Sequence, residues 1–505
     1  MRREIYLDNN ATTMVHRSVT RVMTRALKSL GSNPSSLYQS AHRSRELLED
    51  SRAAIAEAIG AAPHEIILTG SASEANNQAL VSLFEDRYPE RKIIISSPIE
   101  HPSIISTLEY LATKGAVVRY IPVSTKGIID MDEYCRMLDD EIISVCCMLA
   151  NNETGSVQDI QEMARRAHER NIPFICDCVQ ALGKIPVNVK MLGVDYATFS
   201  AHKIHGPKGS GALYAREGLP VIPLIHGGHQ ENALRAGTES LHNIAGFAQA
   251  TRLITKMIGR AQEITSLRRY FLDELQRLIP NLQINTPLDA SIPNTLSITL
   301  PGIDNAMLIA VLDYYGICVS AGSACSTPDN KASHVLTAIG LTEAQARQSI
   351  RISLGDATTR RQLRRTINVI RRFIGGKTPS IGVINPAMLP ESELFDERTY
   401  ILDVRFWHER IMYKSLPRAH EASYFMFYRY LKQIPRNKHI IVVCQGGFYS
   451  PIIGMYLKKK GYHDVSFIVT GLEGWKAAHA ELYRKYAGVN VIRLNARRSH
   501  ALLSS

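Results

Sequence analysis

Thr198-Phe199-Ser200-Ala201-His202-Lys203-Ile204-His205-Gly206-Pro207-Lys208-Gly209 closes an apolar stretch that begins at Tyr196. The strand predicted over Tyr196 to Phe199 ends in small and hydroxylic residues, and a Gly-Pro turn follows at once. A lysine on such a turn is held in place, so Lys203 can be aimed at one atom of a ligand. Upstream, Phe174-Ile175-Cys176-Asp177-Cys178-Val179-Gln180 reads as a buried strand with an acid at its tip and an amide three residues on. A carboxylate there is costly unless it meets a cation. A pyridinium nitrogen is such a cation, and a lysine imine is the other end of the same cofactor. Asp177 and Lys203 therefore read together as a pyridoxal-phosphate site. Each alone has a plainer reading, a surface turn for the lysine and a turn former for the aspartate. The pair says more, because the two strands follow in chain order at about the spacing of one βαβ unit.

Outward from this pair, strands alternate with amphipathic helices from about residue 15 to 255, which predicts a mostly parallel sheet covered on both faces. A long helix is expected over roughly Asn243 to Leu278, then shorter strands (Asn294 to Leu300, Ile317 to Ser320, Ile350 to Ser353) and a closing helix from Thr359 to Ile374. These make a smaller α+β part. The Gly-, Pro- and Ser-rich stretch 376–395 reads as a linker. A second α/β unit is expected over 396–490, with a strand Tyr400 to Arg405, a helix around Ala422 to Leu431 and a strand ending at Cys444. A helix Ser450 to Lys460 and the segment Gly471-Leu472-Glu473-Gly474-Trp475 follow, and 491–505 is a basic tail.

A chain of 505 residues is too long for one core. No apolar run reaches the roughly 18 residues of a membrane helix, and Met1-Arg2-Arg3-Glu4 leads straight into an apolar strand, so neither a membrane nor a leader peptide is expected. The net charge of +12 comes from scattered basic residues, which reads as solvated faces rather than direct nucleic-acid binding. The eight cysteines show no paired CxxC spacing, which suits a reducing cytoplasm and argues against a disulfide framework or structural zinc. Cys325 and Cys444 differ from the others in lying in Gly- and Ser-rich loops.

Several segments then carry a resemblance. Tyr6-Leu7-Asp8-Asn9-Asn10-Ala11-Thr12-Thr13, Asn33-Pro34-Ser35-Ser36, Ile99-Glu100-His101, Asn151-Asn152-Glu153-Thr154-Gly155, the Lys203 turn, Leu234-Arg235-Ala236-Gly237-Thr238-Glu239 and Ser320-Ala321-Gly322-Ser323-Ala324-Cys325 stand in the order found in cysteine desulfurases. Over residues 1–375 the chain resembles that family of the aminotransferase superfamily. The resemblance implies an α/β fold of the pyridoxal-phosphate-dependent transferase type, with a large mixed-sheet part (about 15–255) and a small α+β part (1–14 with 256–375).

It also implies roles. Lys203 would hold the cofactor, Asp177 its ring nitrogen, and His101 would stack on the ring and move protons. Asn152 and Gln180 would lie near the ring, with Asn152 also near the substrate carboxylate. Ala72 and Ser73, in Thr69-Gly70-Ser71-Ala72-Ser73-Glu74, would bind phosphate at a helix start, helped by Ser200 and His202. Thr238 would reach the phosphate of a neighbouring subunit in a homodimer. Arg351 would take the cysteine carboxylate through its guanidinium fork, with a salt bridge as the plainer alternative. Cys325 would attack the substrate sulfur, leaving alanine and a persulfide. The chain departs from the family at His229, where a third glycine is usual, and at Asn232, where arginine is usual, which puts the local loop shape in question.

The second unit resembles a rhodanese domain through Asp403 with Arg405, the cysteine loop and the Gly-Leu-Glu-Gly-Trp end. Cys444-Gln445-Gly446-Gly447-Phe448-Tyr449-Ser450-Pro451 would point successive N–H groups at a sulfur anion. Tyr449 stands where rhodaneses usually carry arginine, which argues against use of free thiosulfate. Sulfur would pass from Cys325 to Cys444 and on to an iron–sulfur scaffold, a sulfur carrier or a tRNA-thiolation enzyme. The competing reading is a selenocysteine-lyase type of enzyme whose rhodanese-like unit only docks a partner.

Overall fold

The computed structural model describes residues 4–29, 31–321 and 332–493. Cys325 and nearly all of the basic tail lie outside them. The chain divides into two compact units, one of Tyr6–Thr299 with Ser333–Arg360, the other of Met1–Ile5, Leu300–Ala332 and Arg361–Ser505.

The first unit is built on a seven-stranded sheet in the order Ile66–Thr69, Gly211–Ala215, Tyr196–Ser200, Phe174–Asp177, Ile142–Cys146, Ile93–Ser96, Val117–Tyr120. Gly211–Ala215 runs antiparallel to both neighbours, and the other strands pair in parallel. Side chains alternate between two apolar layers. Ile93, Ile95, Phe174 and Cys176 enter one core, while Ile94 and Ile175 enter the other. Burial on both faces is what makes these strands continuous apolar runs in the sequence. The parallel strands bring their C-terminal ends to one edge, so the loops after Ser96, Cys146, Asp177 and Ser200 open on the same side.

A three-stranded antiparallel sheet in the same unit pairs Thr295–Thr299 with Ser349–Ser353 and with Gln283–Ile284. The single long helix expected over Asn243 to Leu278 is instead three helices, Leu241–Thr251, Ile254–Gly259 and Ala261–Leu278. The Thr251 hydroxyl bonds back to the Ala248 carbonyl at 2.8 Å, and Gly259 closes the middle piece.

The second unit carries a six-stranded parallel sheet in the order Gly382–Ile384, Val465–Ile468, His439–Val443, Thr399–Asp403, His420–Glu421, Ile492–Arg493. Part of the stretch expected to be a linker is thus an outer strand of this sheet. The helix expected around Ala422 to Leu431 is replaced by a turn and a 3-10 helix, Phe427–Gln433. The N–H groups of Ala422 and Tyr424 donate to the carbonyls of Asp403 and Val404, which ties this backbone to a strand end and keeps it from coiling. In the same unit, helix Asn305–Tyr314 packs on helix Tyr449–Lys459, with the Lys459 ammonium over the Tyr314 ring. Among the described residues no helix is long and apolar enough to cross a membrane.

Candidate active sites

Asp177, the last residue of its strand, is buried, and its carboxylate takes neutral donors only: Asn76 Nδ2 at 3.0 Å and the Val179 N–H at 2.9 Å. Asn76 is itself oriented by the Thr198 hydroxyl, which donates to its Oδ1 at 2.6 Å. The negative charge is therefore desolvated yet left for another cation, which fits a pyridinium nitrogen. His101 caps the helix Pro102–Ala112, and Ser103 N–H donates to its Nδ1 at 3.1 Å, leaving the ring proton on Nε2. Burial holds this imidazole below its ordinary pKa against the pull of Asp177, with Lys203 and His334 pushing the same way as burial. A neutral ring can take up a proton. His202 is likewise kept neutral, lowered to about 4 by burial and then by Lys203.

Lys203 ends a 3-10 turn, Ala201–Lys203, directly after the strand Tyr196–Ser200. Its ammonium donates to the carbonyls of Asn10 at 2.5 Å and Ala11 at 2.9 Å. Gln180 Nε2 donates to the same Asn10 carbonyl at 3.0 Å. Asn10 also donates through Nδ2 to the Asn152 carbonyl at 3.1 Å, so one buried asparagine joins Lys203, Gln180 and Asn152. The Arg351 guanidinium donates to the Asn152 carbonyl at 3.0 Å and pairs with Asp8 at 2.7 Å. Its Nε is buried without a partner among the described residues. Arg351 is thus a salt-bridged residue in the free protein, and a substrate carboxylate would have to compete with Asp8.

At the start of helix Ala72–Arg87, Ser71 caps by accepting from Glu74 N–H, and Ala72 and Ser73 follow in the first turn. The uncapped N–H groups of that turn fit a phosphate. Ser200 is buried at its strand end, and Thr238 is exposed. The loop bearing His229 and Asn232 has a shape of its own. Glu231, Asn232 and Ala233 all have positive φ, and Glu231 is driven inward onto Arg52 at 2.6 Å and the Leu68 N–H at 2.9 Å. Asparagine tolerates that backbone better than most residues.

Beside His101, Glu100 is wholly buried. One carboxylate oxygen accepts from the Ser97 hydroxyl and the Met148 N–H, and the other has no partner. Burial raises this carboxyl from 4.5 to about 8. The folded chain therefore keeps a proton there that the unfolded chain releases. Stability from this group is complete below about 4.5 and is lost as pH rises through about 8. Glu100→Gln cannot ionise, so its melting temperature is expected to gain on that of the parent between about pH 5 and 8 and to hold level above that. A constant difference across that range would rule out a titrating Glu100.

In the second unit, Cys444 directly follows the strand His439–Val443 and is almost completely buried. Burial pushes its thiol up, and the nearby Ser450 side chain and the N–H groups of Ser450, Tyr449 and Gly447 pull it back down. Gly471, at φ +60, lies so close that a Cβ would sit 2.2 Å from the Cys444 carbonyl, and Leu472 and Glu473 N–H groups donate to the carbonyls of Cys444 and Gln445. The Gly-Leu-Glu-Gly-Trp segment thus clamps the cysteine loop. Beneath it, Arg405 is fully buried on Asp403, with further bonds to Gln445 Oε1 and the Tyr413 carbonyl. Tyr449 brings no charge but an aromatic wall with Tyr424 at 4.6 Å and Phe406 at 5.4 Å.

Sequence reasoning missed Asn10, Asn76, Asp8 and Lys184. The first and third lie in a segment quoted for the resemblance without a role, and a polar residue inside the apolar-spaced helix Ala72–Arg87 was the available sign for Asn76.

The aminotransferase class-V family matches residues 5–365 and the rhodanese-like domain matches residues 391–478. The chain is 40% identical over 375 residues to cysteine desulfurase IscS of Dictyoglomus turgidum, covering 74% of this chain and 95% of that one. It is 35% identical over 369 residues to cysteine desulfurase NifS of Azotobacter vinelandii, covering 73% and 92%. Among solved structures, a NifS-like protein superposes with a TM-score of 0.70 at 36% identity, covering 74% of this chain and all of that one. A NifS-like protein from Rickettsia africae superposes at 0.66 with 34% identity, covering 74% and 100%.

Proposed function

Since the chain belongs to the class-V aminotransferase family, among its cysteine desulfurases, we propose that it takes sulfur from L-cysteine on Cys325 and hands it to Cys444. The observation that carries the relay is the second cysteine site: a buried cysteine in a loop clamped by the Leu472 and Glu473 N–H groups, within a rhodanese-like domain in the same chain as a desulfurase. Lys203, Asp177 and the first turn of helix Ala72–Arg87 would hold pyridoxal phosphate, which when bound would supply an electron sink for the substrate. Asp177 would face the ring nitrogen as its counter-charge, neutral His101 would accept a proton, and Arg351 would exchange Asp8 for the substrate carboxylate. The Cys325 thiolate forms a bond to the substrate sulfur as the carbon–sulfur bond breaks, and the carbon keeps the electron pair and is protonated to alanine. The Cys444 thiolate then attacks the outer sulfur of that persulfide and releases Cys325 as thiolate, with no oxidant required. A linked pair of thiols meets at an effective concentration on the order of mM. A homodimer in the cytoplasm, with Thr238 serving the neighbouring subunit, belongs to the same reading. So does a final acceptor among iron–sulfur scaffolds, sulfur carriers or tRNA-thiolation enzymes.

Radiolabelled cysteine and peptide mapping test the relay. Label is expected on both cysteines in the parent protein and on Cys325 alone in Cys444→Ser, with alanine formation nearly unchanged under strong reductant. Cys325→Ser is expected to keep the cofactor spectrum, stop sulfide release and leave Cys444 unlabelled. Label on Cys444 in that variant would mean that the second unit acquires sulfur by itself.

A further inference from the structure

Glu153 is a fully buried carboxyl that no role above uses. Its Oε2 accepts from the Ser333 hydroxyl at 2.6 Å, and its Oε1 has no partner among the described residues. Burial raises this carboxyl above its ordinary pKa, opposed by the Ser333 bond and by the nearby His334 and Arg351. A buried acid so sparsely bonded costs stability, which points to a use other than packing.

After the segment that carries Cys325, the described residues resume at Ala332, and the next two are both fastened. Ser333 caps the helix His334–Ala338 by accepting from the Leu336 N–H at 3.2 Å, while its own hydroxyl donates to Glu153. His334 Nε2 donates to the Glu100 carbonyl at 2.9 Å, and Val335 and Leu336 are buried behind it. The two acceptors belong to loops at the sheet edge that carries the site. Asn152, beside Glu153, gives its carbonyl to Arg351 at 3.0 Å, and His101 directly follows Glu100. The loops are tied to each other as well. Asn151 Nδ2 donates to the Ile99 carbonyl at 2.9 Å, and the Met148 N–H donates to the Glu100 carboxyl at 3.0 Å. All of these residues lie in the first unit.

We infer that Glu153 and the Glu100 carbonyl anchor the chain that returns from Cys325, and that Glu153, Ser333 and His334 are positioning residues for sulfur transfer. The inference rests on the reading of Cys325 as the nucleophile. The eight residues from Cys325 to Ser333 span at most about 28 Å. A stem fixed between the neighbours of Arg351 and His101 therefore keeps the thiol within reach of a substrate held there. Releasing the stem lengthens the leash, and the effective concentration of the thiol falls. The Ser333 bond needs an acceptor and no charge, so it holds with a proton on Glu153 Oε1 as well as without one.

The test is the rate at which label from radioactive cysteine appears on Cys325 in a single turnover of the cofactor-loaded protein, measured across cysteine concentrations. Glu153→Leu and His334→Phe are each expected to slow labelling about tenfold at saturating cysteine, with the half-saturating concentration and the cofactor absorbance as in the parent. Glu153→Gln has the shape of the protonated acid and keeps an acceptor for Ser333, so it is expected to label within about twofold of the parent rate. Parent-rate labelling in Glu153→Leu, or a Glu153→Gln as slow as Glu153→Leu, would overturn the inference. So would a raised half-saturating concentration in place of a slower maximal rate. Should Glu153→Leu not fold, Ser333→Ala opens the same bond from its half-buried end and Ser333→Thr restores it; equal rates in those two variants would overturn the inference. An unlabelled Cys325 in the unaltered, cofactor-loaded protein would instead sink the reading of Cys325 as the nucleophile.

Discussion

Lys203→Ala is expected to lower alanine formation from cysteine by roughly a thousandfold or more, the scale on which a positioned proton-transfer group acts. Lys203 is the ammonium that the site aims from the end of a strand, held on the carbonyls of Asn10 and Ala11. Lys184 cannot replace it, because its ammonium is engaged by Gln180 and Asn10. The absorbance of the lysine-bound cofactor should vanish, although phosphate contacts at helix Ala72–Arg87 can retain some cofactor without the covalent link. The measurement is alanine release, with the absorbance spectrum taken on the same sample. Turnover at the parent rate would sink the pyridoxal assignment and with it the proposed sulfur chemistry.

The second large effect lies in the other unit. Arg405→Leu leaves the Asp403 carboxylate fully buried, with the Ser415 hydroxyl and the Arg405 backbone N–H still donating but no opposite charge. Breaking such a pair from one side costs about 3–5 kcal/mol, far more than the pair is worth against an apolar replacement of both partners. The protein's two tryptophans, Trp407 and Trp475, both lie in the second unit, so their fluorescence reports its unfolding separately. The urea midpoint is expected to fall by roughly 1–5 M, with the slope taken as about 1–3 kcal/mol/M. Asp403→Leu with Arg405→Leu should recover much of the loss. An unchanged midpoint in the single variant would mean that the guanidinium is not needed to hold this core.

The ends of the parallel strands were legible in the sequence because each announces itself locally. An apolar run stops, a polar residue stands at its tip, and a turn follows, as at Asp177 and Lys203. The partners of those tips were not legible, because they come from far along the chain. Asn76 meets Asp177 across about a hundred residues, and Lys184 meets Asn10 across more, and no local pattern records such pairings. Helix breaks at Thr251 and Gly259 were missed because the apolar spacing continues across them while the backbone does not. At Ala422 the sequence reads as helical, yet the end of a neighbouring strand takes the backbone donors first. The proposed nucleophile, Cys325, is read from its sequence context, since it lies outside the described residues.

The strand Gly382–Ile384 precedes the residues that match the rhodanese-like domain, which begin at 391. It covers one side of Val465–Ile468, with Gly382 so close to Ser466 that a Cβ would lie 2.1 Å from the Ser466 hydroxyl. A fragment cut at the family boundary would thus lose an outer strand and bare the backbone N–H and C=O groups of Val465–Ile468. An exposed parallel edge of that kind pairs with other copies of itself. Aggregation of the shortened fragment, with solubility restored by starting before Ile381, is the behaviour this edge dictates, and the place to divide the protein lies some ten residues upstream of where homology alone would cut it.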